Sequence, residues 1–332
     1  MVYKLIILLV PLLFLLPTYL GESSEETIQC QDHVNCSHTR RELICNNIND
    51  IEDNYVVERT NWKKSHSPEL LQFISVTGSL HKKLTKYYPS LKTVFVYKSA
   101  ISDFSLRFMN KGQLLIAESV FPLVTTSTFK EASDIRHLGF YSNPGLEFQD
   151  KCFSELKHLR NLTIYNQTMP TLKYSTLYGL TKLKNLVVVS SNVIQIEEHA
   201  FKRNHYLKEL ILDYNPLYHF NVNITFLKHL RKISLMNTNL QKLDLPLFFP
   251  MKRLAILGLP NEAWLKIKVV ELAQAFPVLR SAIIESSEEG LKSLRLLAEE
   301  MKSAGLIVET LSRNKTIDTP LYKEDMKIIS WD

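Results

Sequence analysis

The sequence is poor in glycine and contains no catalytic motif that we can identify. Only nine of its 332 residues are glycines, and it lacks the serine-elbow, zinc-protease and phosphate-loop motifs. The ten histidines are scattered. His137 is the only one that the pattern described below places on an outward strand position, and it has no obvious partner. We therefore expect no enzyme activity, no cofactor and no metal site.

The net charge is small, and long apolar segments are absent beyond the N-terminus. The formal net charge is +6, without the clustered basic face of a nucleic-acid binder, so we expect no nucleic-acid partner. Beyond the N-terminus, no run approaches the ~18 apolar residues that a membrane span needs. Residues 6–16 are apolar and follow Lys4, which predicts a secretory signal peptide at residues 1–21, with an uncleaved anchor as the alternative. The mature chain is thus expected to be secreted, extracellular and without a membrane span.

Cysteine is also scarce, yet three of the four cysteines lie close together: Cys30, Cys36 and Cys45, with Cys152 far away. In an oxidising compartment, such neighbours are usually bridged. The pairing stays open, because a bridge within the cluster leaves a third thiol. That thiol could join Cys152, stay free or link two chains as a homodimer or heterodimer. A zinc site is a weaker alternative, since the spacing fits no zinc frame.

Sequons for N-glycosylation occur five times, which is typical of a secreted glycoprotein. The candidate acceptors are Asn35, Asn161, Asn166, Asn223 and Asn314.

A 24-residue period organises the rest of the chain. Leu162, Leu186 and Leu210 occupy the same place in three copies of an L-x-x-L-x-L-x-x-N-x-L frame. Such a frame, with a period in the twenties, is typical of leucine-rich repeats. Extending it in both directions predicts a parallel sheet of about 10–11 strands. The strand anchors are Ile74, Val94, Leu114, Leu138, Leu162, Leu186, Leu210, Ile233, Leu257, Ala282 and Leu306.

The frame assigns a direction to each side chain. Because alternate side chains of a strand face opposite ways, positions 4 and 6 should point inward, and positions 3, 5 and 7 outward onto a concave sheet. Position 9 should bond the backbone at the strand end. Amides supply this group at Asn143, Gln167 and Asn215, and hydroxyl groups supply it in other units, where we expect a looser ladder. The hydroxyl-bearing residues are Ser99, Ser119, Ser191 and Thr238.

The two ends differ from the repeats. After the signal peptide at 1–21, we predict an acidic leader and cysteine-containing cap at 22–60, repeats at 61–284, a C-terminal cap helix and strand at 285–312, and a tail at 313–332. Helical spacing of apolar residues predicts one helix at 264–276 and another at 286–303. The convex side should otherwise be irregular or carry short helices.

Outward positions 5 to 8 carry many aromatic and apolar side chains. Such residues on an exposed sheet are typical of binding hot spots, so we predict a ligand-binding surface there. The alternative is that these side chains only pack on each other. The residues are Phe95, Tyr97, Tyr141, Tyr165, Val187, Val189, Ile211, Asp213, Tyr214 and Met236. Glycans on Asn161 or Asn166 would lie on or beside this surface.

Residues 91–260 resemble the extracellular leucine-rich repeat proteins, a group that includes Toll-type receptor ectodomains, slit-like guidance proteins and secreted insect immune proteins. The resemblance implies an α/β solenoid, or horseshoe, that binds proteins through its concave face without catalysis. We accordingly predict a secreted binding protein whose ligand is an extracellular protein or a glycan or pathogen-surface molecule, with innate immunity as one setting. A self-associating matrix protein is the alternative.

Overall fold

The computed structural model describes residues 36–38, 41–51, 68–81, 88, 90–105, 112–121, 123–286 and 291–312. Their main feature is one sheet of thirteen strands. In spatial order these are β1 (Cys36–His38), β2 (Glu42–Asn46), β3 (Leu70–Ile74), β5 (Thr93–Tyr97), β7 (Gly112–Ala117), β8 (Ile135–Tyr141), β9 (Asn161–Tyr165), β11 (Asn185–Val189), β13 (Glu209–Ile211), β14 (Lys232–Ser234), β15 (Ile256–Gly258), β16 (Ser281–Ser286) and β17 (Ile307–Ser312). Only β1 is antiparallel to its neighbour. The predicted solenoid with a parallel sheet is confirmed.

The remainder of each unit returns the chain to the start of the next strand. Two small parallel pairs lie on this part, β4 (Thr77–His81) with β6 (Ala100–Ser105) and β10 (Thr171–Leu172) with β12 (Gln195–Ile196). Among the described residues, the helices are α1 (Tyr174–Leu177), a 3-10 helix at Leu245–Phe248, α2 (Asn261–Trp264), α3 (Val269–Ala275) and α4 (Leu291–Ser303). This confirms the short-helical, irregular convex side and the helix in the C-terminal region.

The core consists of stacked layers of the repeat leucines. Leu162 and Ile164 of β9 are fully buried and pair with Leu186 and Val188 of β11, which are buried too. Each such side chain contributes roughly 1.5–3 kcal/mol through burial. The return leg adds rings with the same period, as when Phe129 stacks on Phe153, 24 positions later, with ring centroids 6.0 Å apart. Inward side chains of the strands and the return legs therefore form one continuous core.

The register corrects the first unit of the predicted frame. Leu71, and not Ile74, pairs with Val94. Leu71 and Phe73 are the buried pair of β3, while Ile74 is only half-buried at the strand end. The sheet also begins one unit earlier than the first anchor, because Leu43 of β2 pairs with Leu71.

Two corrections fall at the C-terminal end. The last anchor is Val308 rather than Leu306, because Val308 pairs with Ala282. The helix predicted at 264–276 is wrong as one element, since α2 ends at Trp264 and α3 begins five residues later. Trp264 is fully buried, and its indole N–H donates to the Ile283 carbonyl at 2.8 Å. This contact holds the end of α2 against β16, so the chain turns there. The helix predicted at 286–303 is observed from residue 291, and 287–290 lie outside the described residues.

Candidate functional site on the concave face

The outward side chains of neighbouring strands lie in register, as the frame predicts. Tyr141 pairs with Tyr165, which pairs with Val189. They nevertheless form three separate apolar clusters rather than one patch. The first cluster is Ile74, Phe95, Tyr97, Ala117 and Tyr141; the second is Tyr165, Val187, Val189, Ile211 and Tyr214; the third is Met236, Ile256 and Ile283.

Mutual packing buries much of the predicted surface. The half-buried residues among the ten are Phe95, Tyr141, Tyr165 and Tyr214, and the buried ones are Tyr97, Val187, Val189, Ile211, Asp213 and Met236. For these six, the expectation of an exposed outward side chain is wrong. Strands are only about 4.8 Å apart, so bulky neighbours on one face cover each other. A ligand could touch the four half-buried rings, whereas the other six side chains are covered by their neighbours.

Two glycines of the strands make room for this packing. A Cβ atom on Gly139 would lie 2.5 Å from Cε2 and 2.8 Å from the hydroxyl oxygen of Tyr141. The Tyr141 ring therefore lies over Gly139. A Cβ on Gly258 would lie 3.2 Å from Cγ of Met236, which is at position 7 of the preceding unit. A large side chain at position 7 thus lies against a glycine at position 5 of its own or of the next unit.

The two acidic side chains of the position-7 row bind backbone rather than solvent. Asp213 accepts a hydrogen bond from the Met236 N–H at 2.8 Å. Glu285 accepts one from the N–H of Asn237, two units away. In the unit between Asn237 and Glu285, position 7 is Pro260, which follows β15, and its carbonyl accepts from the N–H groups of Ala263 and Trp264 in α2. These carboxylates therefore stabilise strand ends and are poor candidates for ligand contact.

A chain of polar groups at frame position 3 was missed by the sequence reasoning. The Asn185 amide donates to Asn161 Oδ1 at 2.8 Å, and the Asn161 amide nitrogen lies 2.5 Å from Nδ1 of His137. His137 therefore has a partner after all, and because an amide nitrogen is a donor, this contact favours the form of the imidazole in which Nδ1 accepts. Burial lowers the pKa of His137, and the nearby charge of Arg160 lowers it further. All three residues occupy frame position 3, and this shared position is the sequence signal from which the chain of polar groups could have been predicted.

These polar groups border a shallow depression, which we call the central concave site. Its lining includes Leu115, His137, Tyr141, Asn161, Thr163, Asn185 and Val187. An apolar floor, a tyrosine ring and amides with fixed directions suit a segment of polypeptide, because such a segment offers both side chains and backbone hydrogen-bonding groups. Among the described residues, no three His, Cys, Asp or Glu side chains are grouped so that they could hold a metal ion.

The asparagine side chains of the sequons differ in the hydrogen bonds that they make. Asn161 belongs to the polar chain, and Asn166 donates to the Ser142 hydroxyl at 3.0 Å. Asn223 instead accepts through Oδ1 from the hydroxyl of Thr225 at 2.6 Å. Asn35 and Asn314 lie outside the described residues. Occupancy at any of the five stays a prediction.

The cysteines divide into bridged and free. Cys45 is disulfide-bonded. Cys152 is free and buried in the core, which excludes a bridge from the N-terminal cluster to Cys152. Burial raises the pKa of its thiol to about 12. Cys30, the side chain of Cys36 and the predicted signal peptide lie outside what the structure describes. No helix in the described part is long and apolar enough to cross a membrane.

Comparison with known proteins agrees with this architecture. The sequence model of a family described as BspA type leucine rich repeat region matches residues 123–253 in six copies. A search of curated proteins finds no significant match. A chain in the octameric complex of Latrophilin 3, Unc5D and FLRT2 (LRR) is similar over 83% of this chain and 91% of its own length, at 14% identity and a TM-score of 0.54.

A second similar structure is a chain of the Toll–Spatzle complex from Drosophila. The identity is 12% and the TM-score 0.52, over 76% of this chain. This chain covers only 32% of that one. Identities this low show the fold alone. Together, the strand register, the 24-residue period and these likenesses define a parallel-sheet solenoid. The chain has the fold of a leucine-rich repeat solenoid, and its residues 123–253 match a family model of such repeats.

Proposed function

We propose that the protein is a secreted, non-enzymatic binding protein that takes a segment of an extracellular protein on the central concave site. The observation that carries this proposal is the arrangement of the half-buried Tyr141 ring beside the His137–Asn161–Asn185 chain. Aromatic anchors next to fixed hydrogen-bonding groups are the usual composition of binding hot spots.

The similar structures support a protein ligand. One is a complex that includes FLRT2 (LRR), Latrophilin 3 and Unc5D, and the other joins Toll with Spatzle. Those associations belong to those proteins, and they make protein binding the first function to test here. The predicted signal peptide supports an extracellular location. Glycosylation at Asn223 fits the same location. The Asn223 amide nitrogen is available for it, because this atom has no hydrogen-bond partner among the described residues.

The test begins with affinity capture from extracellular fluid and identification of the bound protein. We expect Tyr141→Ala combined with Tyr165→Ala to weaken binding of that protein by about 30-fold, the size of one hot spot of ~2 kcal/mol. Tyr218→Ala combined with Phe249→Ala is the matched control, because both rings are exposed away from the concave strands. Equal affinity of the Tyr141/Tyr165 variant and the control would exclude the central concave site.

The matrix alternative gains no support from Cys152. A buried thiol within the core cannot link two chains without local unfolding. Non-reducing electrophoresis of the secreted protein checks the remaining cysteines. A disulfide-linked dimer would favour self-association.

A further inference from the structure

A line of cations crosses the sheet where its strands begin. Frame position 2 is arginine or lysine in five successive units, and we call these residues the basic row: Arg136, Arg160, Lys184, Lys208 and Arg231. The N–H of each later member donates to the carbonyl of the member before it, at 2.7 to 2.8 Å. Neighbouring members are therefore about 4.8 Å apart at the backbone.

The turns that lead into β9, β11, β13, β14 and β15 add more positive charge, whereas the turn before Arg136 carries Glu131 and Asp134. Segments 157–160, 181–185, 205–209, 228–232 and 252–256 hold ten lysines and arginines but one acidic residue, Glu209. The turn has the same form in successive units. The N–H of Leu159 donates to the carbonyl three residues earlier, and so do those of Leu183 and Leu207. Equivalent side chains of these turns are therefore brought side by side.

The charges of the row are not neutralised within the described part of the protein. No ion pair there involves Arg160, Lys184, Lys208 or Arg231. Lys92, at position 2 of an earlier unit, does pair with Glu69 at 2.9 Å. Burial lowers the pKa of Lys184, and the like charges of Arg160 and Lys208 lower it further. Repelling charges held in a line create a positive potential that attracts anions.

We propose that the basic row binds a sulfated polysaccharide of the glycosaminoglycan class, laid across the strands so that successive sulfate groups meet successive cations. A linear row of cations matches a linear polyanion, and lysine and arginine bind such oxyanions through charge-assisted hydrogen bonds. This surface lies at the strand entry and is separate from the aromatic rings of the concave face. It rests on the proposed function only for the extracellular location, where such polysaccharides occur.

A nucleic acid fits the row less well. Proteins that hold single strands interleave cations with aromatic rings on which bases stack. In the five turn segments the only aromatic ring of Phe, Tyr or Trp is that of Tyr206. It already stacks on His229, with centroids 6.0 Å apart and planes 9° apart. The row therefore offers charge in a line without a stacking platform.

The probe is a defined heparin oligosaccharide, with binding measured at several salt concentrations. The test variant is Arg160→Gln, Lys184→Gln, Lys208→Gln and Arg231→Gln together. Its matched control removes four exposed cations elsewhere: Lys130→Gln, Lys202→Gln, Lys242→Gln and Lys266→Gln. We expect the test variant to lose at least tenfold in affinity and its slope of log Kd against log salt to fall by about three, as for release of counterions from four contacts. The control should change less than threefold.

Three results would overturn the proposal. They are no heparin binding by the native chain at physiological salt, equal losses in both variants, or tighter binding of a single-stranded oligonucleotide of the same charge than of heparin. Circular dichroism and thermal melting establish that both variants are folded. The Tyr141/Tyr165 double variant should still bind heparin, so failure of the central concave site can be told apart from failure of the basic row.

Discussion

At the residue scale, the strongest backbone constraint lies at frame position 8. Every unit from β2 to β14 places a residue with positive φ there, and none of them is glycine. Left-handed backbone is unfavourable for side chains other than those of glycine, asparagine and aspartate. Only some of the nine are of the favoured type, so the residue types alone could not have shown this constraint. The nine are Asn47, Ser75, Lys98, Glu118, Ser142, Asn166, Ser190, Tyr214 and Asn237.

Glycine is needed at one turn for space as well as for conformation. Gly179 has φ +89°, and a Cβ there would lie 2.7 Å from Cα of Ser154. Gly145 has φ +69°, with nothing within 4 Å of its Cβ position. We expect Gly145→Ala to cost about 1 kcal/mol from its dihedral angle alone, and Gly179→Ala about 2 kcal/mol more because backbone must shift. Urea unfolding of the two variants measures the difference; equal costs would show that the Ser154 segment yields freely.

The buried thiol of Cys152 gives a prediction about pH. Burial raises its pKa in the folded protein from near 9 to about 12. Because the folded-state value is the higher one, the stabilisation of the neutral thiol is complete below pH 9 and is lost as pH rises toward 12. Above pH 9, the free energy of unfolding of the native protein should therefore fall more steeply than that of the Cys152→Ala variant. The difference in slope should be up to about 1.4 kcal/mol per pH unit.

Thiol labelling gives an independent check on Cys152. A thiol reagent at pH 8 should leave it unmodified in the native protein and modify it after denaturation, because the thiolate is the reactive form. Rapid labelling of Cys152 under native conditions would contradict its burial.

At the element scale, the ladder at position 9 holds through the serine units, where the sequence predicted loosening, and is interrupted at an amide instead, because the buried Gln167 Oε1 has no hydrogen-bond partner among the described residues. The Ser119 hydroxyl accepts from the Ser99 N–H at 3.1 Å and donates to the Ala117 carbonyl at 2.7 Å. Ser99 makes the same two kinds of bond, accepting from the Val76 N–H. A hydroxyl therefore does both tasks of the amide, with fewer bonds in total. The frame predicts which position carries the ladder, whereas the bonding capacity of each group depends on distances that only the structure supplies.

The different bonding of amide and hydroxyl makes a second stability prediction. Asn215 Oδ1 accepts from the N–H groups of Ser191 and Val193, and its amide nitrogen donates to three carbonyls, including that of Val188. Asn215→Ala leaves these buried groups unsatisfied, so we expect a loss of about 3–5 kcal/mol. Ser119→Ala breaks two bonds and should cost about 1–2 kcal/mol. Denaturant unfolding followed by the same probe compares them, and an equal loss would refute the importance of the amide.

At the scale of the whole molecule, the sequence predicted the solenoid from its period but misplaced both ends. The inner units repeat at 24 residues with leucine at the anchors, so hydrophobic pattern and register coincide. In the end units several apolar residues compete for each inward position, and strand pairing decides between them. The surfaces were harder to predict for a related reason. The members of the basic row are some 24 positions apart, so no short stretch of the sequence contains more than one of them. The net charge of +6 is a sum over the whole chain and does not indicate that these cations lie together.

The last prediction concerns the C-terminal end of the array. Met301 of α4 is fully buried, while Leu296 on the same helix is 66% exposed. We expect Met301→Ala to cost about 2–4 kcal/mol, and Leu296→Ala to stay within about 0.5 kcal/mol. In a solenoid each unit contacts mainly its neighbours, so this loss should remain local. Hydrogen exchange should quicken in α4, β16 and β17 of Met301→Ala and stay unchanged in β9 to β13. Faster exchange throughout the sheet would instead show that the end unit stabilises the whole array as one cooperative body.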